Sequence, residues 1–369
     1  MARSGHNGPV APAARATAAA RQPARPETAP LIVGDLQPSD EFMHPVTDDP
    51  SFNESMMFNF FDSTQQLGGF VRIGNRVNED HAEVTLCVFL PGGRVLMQWA
   101  KPPISDNARF DAAGMCFRVL EPGRQLAVDF HGAAVDIADP LEMREPGVAL
   151  RRNPTVPVAL ELEVHNTGPM IGSASGNPRG SIIFLTGVGH YQQAIAARGE
   201  LRAGSSRWPL AMYGARDHSW GRRVWSSIFR DRSIWITFGP DLAFICCKTW
   251  LDPAAPPDIM GCVIEGATVT PLRRIDVASR FRPGTHYHTS TDLELVDARG
   301  RTFSIAGHVL SYVPLRHRKP GRETILLGQA ITRFELNGRV ALGLSEYFDA
   351  TAACPPLVEL SQRGQYAYE

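Results

Sequence analysis

Ala82-Glu-Val-Thr-Leu-Cys-Val-Phe-Leu90 runs into Pro91-Gly-Gly93, and Arg94-Val-Leu-Met-Gln-Trp99 begins at once. A run rich in aliphatic, β-branched and aromatic residues, a Pro-Gly-Gly turn and a second such run make a hairpin signal. The pattern extends in both directions. Phe70-Val-Arg-Ile73 precedes it, and Gln125–Phe130 and Ala159–His165 follow. The last of these alternates in polarity, which predicts one solvated face. Arg232–Phe238 turns at Gly239-Pro240 and returns as Leu242–Trp250. Further runs are Thr289–Val296, Thr302–Val313, Thr324–Leu336 and Val340–Tyr347, with the hairpin turn Asn337-Gly338 between the last two. Helical periodicity is scarce. Two consecutive antiparallel β units of the closed-barrel kind fit best.

Composition agrees. A chain of 369 residues suits two domains or one large β architecture. Its 29 prolines and 33 glycines suit a fold rich in turns. A net charge of −1 excludes a polyanion-binding surface over the whole molecule, so no nucleic-acid partner is expected. None of the six cysteines forms a CxxC pair, and several sit in apolar runs, as reduced buried thiols do. No apolar run approaches the roughly 18 residues of a membrane-spanning helix, so stable membrane insertion is not expected. Residues 1–40 read as a disordered tail rich in Ala, Pro and Arg, without the apolar stretch of a secretory signal. A cytoplasmic protein is expected.

One segment concentrates chemistry. Tyr213-Gly-Ala-Arg-Asp-His-Ser-Trp-Gly221 sets a cation, a carboxylate, an imidazole, a hydroxyl and an indole in consecutive positions. If the segment is extended, Arg216, His218 and Trp220 share one face while Asp217 and Ser219 share the other. If it bends, all five converge.

The Asp217-His218-x-Trp220-Gly221 core on a β-rich chain of two halves resembles the carotenoid hydratase (hydroxyneurosporene synthase) and AttH-like superfamily. Kievitone hydratase-like and fungal cyclase-like proteins belong to the same group. The chain is more similar still to bacterial proteins carrying Gly-x-Arg-Asp-His-Ser-Trp-Gly, which also show sequences like Glu54–Phe60, Gly69–Arg76 and Gly343–Tyr347. The resemblance implies two lipocalin-like barrels, with a ligand pocket near their junction and chemistry that needs no metal or cofactor. On that basis the domains are expected at 41–188 and 189–369, the second carrying the motif. In the hydratases an Asp-His-x-x-Gly-like segment lies at the pocket, matched here by Asp217, His218 and Gly221.

Hydrating an unactivated alkene requires a strong proton donor, and an apolar pocket can keep a carboxyl protonated near neutral pH. Asp217 or Glu54 would supply that acid. Trp220, Trp225, Tyr213 and Phe58 would form an aromatic wall that stabilises a cation, and His218 would orient or deprotonate water. Arg216 would pair with Asp217, Glu54 or Glu346, or bind a ligand carboxylate. Met56, Met57 and Phe58, Phe60 and Phe61 read as core or as an adaptable apolar pocket. His286-Tyr-His288 has the spacing of some metal sites, but no adjacent acid or cysteine completes it, and no metal is expected. His190 reads as a structural histidine pointing toward the junction. No Gly-x-Ser-x-Gly elbow, dinucleotide fingerprint or phosphate loop is present.

The function expected is a cofactor-independent hydratase, dehydratase or isomerase, a lyase-like activity on a hydrophobic isoprenoid, steroid-like or phenolic molecule. The alternative is a non-catalytic carrier of such a molecule. A third possibility is structural: the Arg-Asp-His network braces the barrels and Trp220 fills their interface. A carrier has no need of Asp217 beside His218, which favours the enzyme.

Overall fold

The computed structural model describes Met1 and residues 32–175, 189–224, 228–317, 325–350 and 367–368. Most of residues 1–40, and Trp225, lie outside the described residues. The chain is almost entirely β. Eight antiparallel strands close a first barrel. Phe52–Asp62, Leu67–Arg76, His81–Phe89 and Val95–Ala100 pair in succession. Gln125–Ile137, Thr155–Asn166, Gly189–Ala203 and Ser206–Arg222 continue the circuit, which closes onto Phe52–Asp62.

A second circuit follows. Arg230–Gly239, Leu242–Trp250, Asp258–Glu265, Thr268–Phe281 and His288–Asp297 pair in order. Thr302–His317, Ile325–Leu336 and Arg339–Ala350 complete it, the last returning to Arg230–Gly239. Two lipocalin-like antiparallel barrels are therefore present. Among the described residues, no helix is long and apolar enough to cross a membrane.

The expected turns are built as the sequence reads. Gly92 and Gly93 both take positive φ between His81–Phe89 and Val95–Ala100. Asn337 and Gly338 take φ of 49° and 80°, the doubly positive pair of a tight hairpin. In Thr155–Asn166, Leu160, Leu162 and Val164 are buried while Glu161, Glu163 and His165 are exposed, the alternation of a strand with one wet face. Phe52–Asp62 is buried along its whole length because the second barrel covers its outer face.

Two boundaries differ from expectation. The hairpin of Gly189–Ala203 and Ser206–Arg222 pairs on both sides within the first barrel, so the division at 189 falls one hairpin too early. The motif therefore belongs to the first barrel, and the second begins at Arg230. The hairpin has the length and turn of a barrel opening, and strand patterns alone do not say which circuit it closes. The tail also ends sooner than residue 40. Ile32–Gly34 pairs in parallel with Met170–Ser173, and Pro38–Glu41 is a 3-10 turn that buries Glu41.

The barrels pack through Met57, Phe61, Phe70, Met97, Ala215, Trp235, Ile245, Ile331 and Leu344. Polar bonds fix the angle. Trp235 Nε1 donates to Gln192 Oε1 at 3.0 Å, and Thr237 Oγ1 donates to the Gly214 carbonyl at 2.9 Å.

Gly189 faces Trp220 across the hairpin, and a Cβ there would lie 2.0 Å from the indole Cζ2. Gly189→Ala is expected to destabilise the protein by about 1–3 kcal/mol, the usual cost of overpacking. Urea denaturation followed by tryptophan fluorescence measures this; an unchanged midpoint would mean that the indole relocates freely.

Candidate functional site

The motif is extended, so its side chains divide between two places. Arg216, His218 and Trp220 point into the first barrel with Leu210 and Met212. Asp217 and Ser219 point outward, toward the second barrel.

The inward group forms a buried polar plug. The Arg216 guanidinium donates to both oxygens of Glu41, to the Tyr191 hydroxyl at 2.9 Å and to Gln193 Oε1 at 2.6 Å. Burial alone would raise the Glu41 carboxyl, but the Arg216 charge and hydrogen bonds hold it below the ordinary range. Beside it, Glu54 accepts from His44 Nδ1 at 2.7 Å, the His44 amide at 2.9 Å and His218 Nε2 at 3.0 Å. Burial again opposes ionisation, yet His218 and His44 hold the Glu54 carboxyl at about 2. The His44 ring stacks on Trp220 with centroids 3.8 Å apart.

His44, Glu54 and His218 bring three ligand-type atoms within 4.8 Å of one another. A metal-bound imidazole almost always donates its outer N–H to an acceptor. Here His44 Nε2 lies 3.6 Å from Asp40 Oδ1, while His218 Nδ1 is buried without a hydrogen-bond partner. The outer nitrogen of His44 thus has a carboxylate neighbour and that of His218 has none, and the contacts made are those of a carboxylate clamped between two imidazole nitrogens. In the second barrel, His286 lies 3.5 Å from Asp349, whereas His288 bonds Ser345 at 2.8 Å and stacks on Tyr347. The two histidines serve different partners.

The outward group faces a cavity of about 500 Å³ between the barrels. Met57, Phe70 and Met97 line it from the first barrel, and Trp235, Leu327 and Phe348 from the second. Asp217 enters from one side with 18% of its side chain exposed, so the carboxylate is accessible from the cavity. It is hydrogen-bonded to His190 Nε2. Burial would raise the Asp217 carboxyl, but His190, Arg223 and Arg72 together hold it low.

Glu346 enters from the other side and accepts from Gln329 Nε2. Burial pushes the Glu346 carboxyl up to about 7, and the charges of Asp231 and Asp217 act in the same direction against the Gln329 bond. Asp231 is also raised by burial, although Ser233, Thr249 and Cys247 all donate to it.

Of the residues singled out in the sequence, Asp217 and Glu346 meet at this cavity. Glu54, His218, Arg216 and Trp220 lie inside the first barrel, all nearly or fully buried. Phe58 is core, edge-on to Phe117 at 5.0 Å. Tyr213 is surface-exposed. Neither Glu54 nor Asp217 is held protonated as an alkene acid must be, because imidazole and guanidinium partners stabilise both anions. Glu346, read first as a binding residue, has the raised carboxyl instead.

Sequence reasoning missed Glu41 and His44, which lie far from the motif in sequence. It placed His190 near the junction without linking it to Asp217. The alternation of His190 and Gln192 on one strand, opposite Ser219 and Asp217 on the next, is the signal that pairs them.

A family model described as a domain of unknown function, DUF7064, matches residues 37–351. No curated protein matches the chain. Among solved structures it is similar to a protein provisionally named AttH from Nitrosomonas europaea, with a TM-score of 0.56 at 10% identity. That match covers 89% of this chain and 99% of the other, and it shows an AttH-like fold. CghA, alone and with Sch210972, gives a TM-score of 0.48 at 12% identity, over 81% of this chain and 88% of that one.

The Glu54 clamp sets an acid limit. A carboxyl lowered from 4.5 to about 2 on folding contributes stability that is present above about pH 4.5 and is lost as pH falls toward 2. Glu54→Gln is expected to cost about 1–3 kcal/mol at neutral pH. The gap to wild type should narrow steadily in denaturant melts run at falling pH. Parallel curves at every pH would show that the clamp does not stabilise the fold.

Proposed function

The chain belongs to the DUF7064 family, and we propose that its junction cavity is the active site of a cofactor-independent acid–base enzyme acting on a hydrophobic small molecule. The observation that carries this reading is the pair of carboxyls with opposed environments at one apolar cavity. Glu346 is held near 7 by burial, and Asp217 is held low by His190 and two arginines. Two titratable groups pushed apart in this way divide the roles of acid and base.

In the direction of hydration, the protonated Glu346 carboxyl gives its proton to an alkene carbon. The cation formed at the neighbouring carbon lies among Trp235, Phe70 and Phe348, where a desolvated aromatic face is worth ~2 kcal/mol or more. Water adds to that carbon and releases its proton to the Asp217–His190 pair, which passes it to solvent as Glu346 regains one from solvent. Dehydration runs the same steps in reverse. Isomerisation omits the water and removes a proton from a different carbon. Trp235 is held in place by its bond to Gln192, so the aromatic wall is fixed before a ligand arrives. Carotenoid hydratase-like chemistry on an isoprenoid, steroid-like or phenolic compound is consistent with this arrangement.

Purified protein incubated with acyclic terpenoids, steroids and phenolics in ¹⁸O-labelled water, with products analysed by mass spectrometry, tests the proposal. The expected result is label in one product and a rate that falls as pH rises above about 7, where Glu346 ionises. Glu346→Gln should lower turnover by roughly 10²–10⁴-fold, and Asp217→Asn should also reduce it. Saturable binding of a compound without any product would instead favour a carrier. Full turnover in Glu346→Gln would remove this residue as the acid.

The same residue links stability to pH with a definite sign. A carboxyl raised on folding contributes stability below its unfolded value, and that contribution is lost as pH rises through the folded value. Wild type should therefore weaken between about pH 4.5 and 7 relative to Glu346→Gln. The variant should be the more stable protein at pH 8.5. Thermal melts across this range read the crossing directly, and melting temperatures that move together would contradict it.

A further inference from the structure

The junction cavity is long as well as apolar, and its two ends differ. Asp217 on Ser206–Arg222 and Trp99 on Val95–Ala100 both line it. Between these strands lie Phe52–Asp62, Leu67–Arg76 and His81–Phe89. Four strand spacings make about 19 Å along the sheet. On the facing wall Glu346 and Leu315 stand two strands apart in the second barrel, on Arg339–Ala350 and Thr302–His317. Beside Asp217 the lining residues Gln192, Asp231 and Trp235 are buried. Among the described residues that line the cavity, Trp99, Lys101 and Gly147 are the exposed ones. Trp99 and Lys101 follow one another on the far strand. Gly147 comes just after Gln125–Ile137, the strand that pairs with Val95–Ala100 on its outer side. The cavity therefore meets solvent at the end remote from Asp217.

A strap from the first barrel frames that mouth. The 3-10 turn Pro140–Arg144 and the short helix Pro146–Arg152 join Gln125–Ile137 to Thr155–Asn166. Met143 and Leu150 share an apolar cluster with Val313 and Leu315 of the second barrel, and Arg316 Nη2 donates to Glu145 Oε2 at 2.7 Å. Met143, Gly147 and Leu150 line the cavity, at the three- and four-residue spacing that sets side chains on one helical face. Val148, Arg151 and Arg152 are exposed. Gly147 thus stands on the cavity face with no side chain. Its φ lies outside the left-handed region, so its backbone does not call for glycine. Among the described residues, a Cβ there would have Arg151 Nη1 as its neighbour beyond the helix backbone, at 3.6 Å, an ordinary contact. Packing does not call for glycine either, and glycine weakens a helix. What the missing side chain leaves is room at the mouth.

We propose that Gly147 determines how long a ligand the cavity accepts: one end of an elongated apolar molecule lies between Asp217 and Glu346, and the other passes Gly147 and Trp99 toward solvent. The inference rests on reading the cavity as the ligand site and names the residue that selects chain length there. A side chain at this position would shorten the space along the molecule without touching the carboxyls at its far end.

Geraniol, farnesol and geranylgeraniol share a head group and lengthen by one isoprene unit at each step, so they isolate chain length. Tryptophan fluorescence of the full chain reads their binding, since Trp99 and Trp235 line the cavity. Wild type is expected to bind each longer alcohol at least about 5-fold tighter, as more apolar surface is buried. Gly147→Phe should weaken geranylgeraniol by at least about 10-fold and leave geraniol within about 2-fold of wild type. Gly147→Ala should weaken geranylgeraniol less than Gly147→Phe does. Val148→Phe adds the same ring one residue on, at an exposed position, and should leave all three alcohols within about 2-fold. A Gly147→Phe protein that is folded by its thermal melt and binds geranylgeraniol as wild type does would overturn the proposal. So would a loss equal at all three lengths, because the helix would then act on the cavity as a whole. Either result leaves the cavity as the ligand site. No binding of any alcohol by folded wild type would count against the cavity as the ligand site and take this inference with it.

Discussion

The two-residue period of a β-strand organises this molecule. Along Ser206–Arg222 each successive side chain faces the opposite way, and the two sides lead to different places. Even positions from Leu210 to Trp220 enter the first barrel, where Arg216 and His218 meet Glu41 and Glu54. Of the odd positions, Tyr213 meets solvent, while Ala215, Asp217 and Ser219 face the second barrel, where Asp217 meets His190. A compact run of reactive residues is thereby divided into a part that fills a barrel and a part that faces a cavity. Moving the register by one residue would exchange the two sets, burying Asp217 away from any ligand and exposing the arginine that closes the plug.

That plug bears on where a ligand can sit. The upper end of the first barrel is filled by the Arg216–Glu41 pair and the clamped Glu54, and the remainder of its interior is packed with Phe58, Phe60, Phe117 and Phe130. The second barrel repeats the device with different residues. Arg232 pairs with Asp349 at 3.0 Å and lies 4.3 Å from the Tyr347 ring, beside a His288 that burial keeps neutral. Buried ion pairs are weak contributors to net stability, because desolvation offsets their attraction. Their effect here is to occupy volume with groups that tolerate no replacement by an apolar guest. A lipocalin-like barrel commonly holds its ligand within; in this chain the roomy apolar space lies at the junction instead.

The fold was legible because hairpin turns and alternation are local. Pro91-Gly-Gly93, Gly239-Pro240 and Asn337-Gly338 each join strands that pair, and the alternation of Ala159–His165 correctly marked a solvated face. The barrel boundary was not legible, since both circuits are built from the same kind of strand and closure depends on distant pairing. The site was half legible. Asp217 and Glu346 were recognisable as ionisable groups, but which carboxyl stays protonated depends on its partners, and those lie far away in sequence. His44 reaches Glu54 across ten residues, and His218 reaches it across 164. Composition and spacing hold no record of such convergence.

The cavity's ionisable groups come from both barrels, so its integrity depends on how the barrels dock. The proposed base, Asp217 with His190, belongs to the first barrel, while the proposed acid Glu346, with Asp231 and Trp235, belongs to the second. Neither barrel alone carries both members of the proposed acid–base pair. The raised Glu346 carboxyl is itself a product of docking, because burial at the junction is the largest cause of the shift and Asp217, across the cavity, adds to it. Separating the barrels would hydrate Glu346 and return it toward an ordinary carboxyl, so its raised state exists only while the interface does. The bonds from Trp235 to Gln192 and from Thr237 to Gly214 therefore do more than join two domains: by holding the barrels together they maintain the raised Glu346 carboxyl on which the proposed chemistry depends.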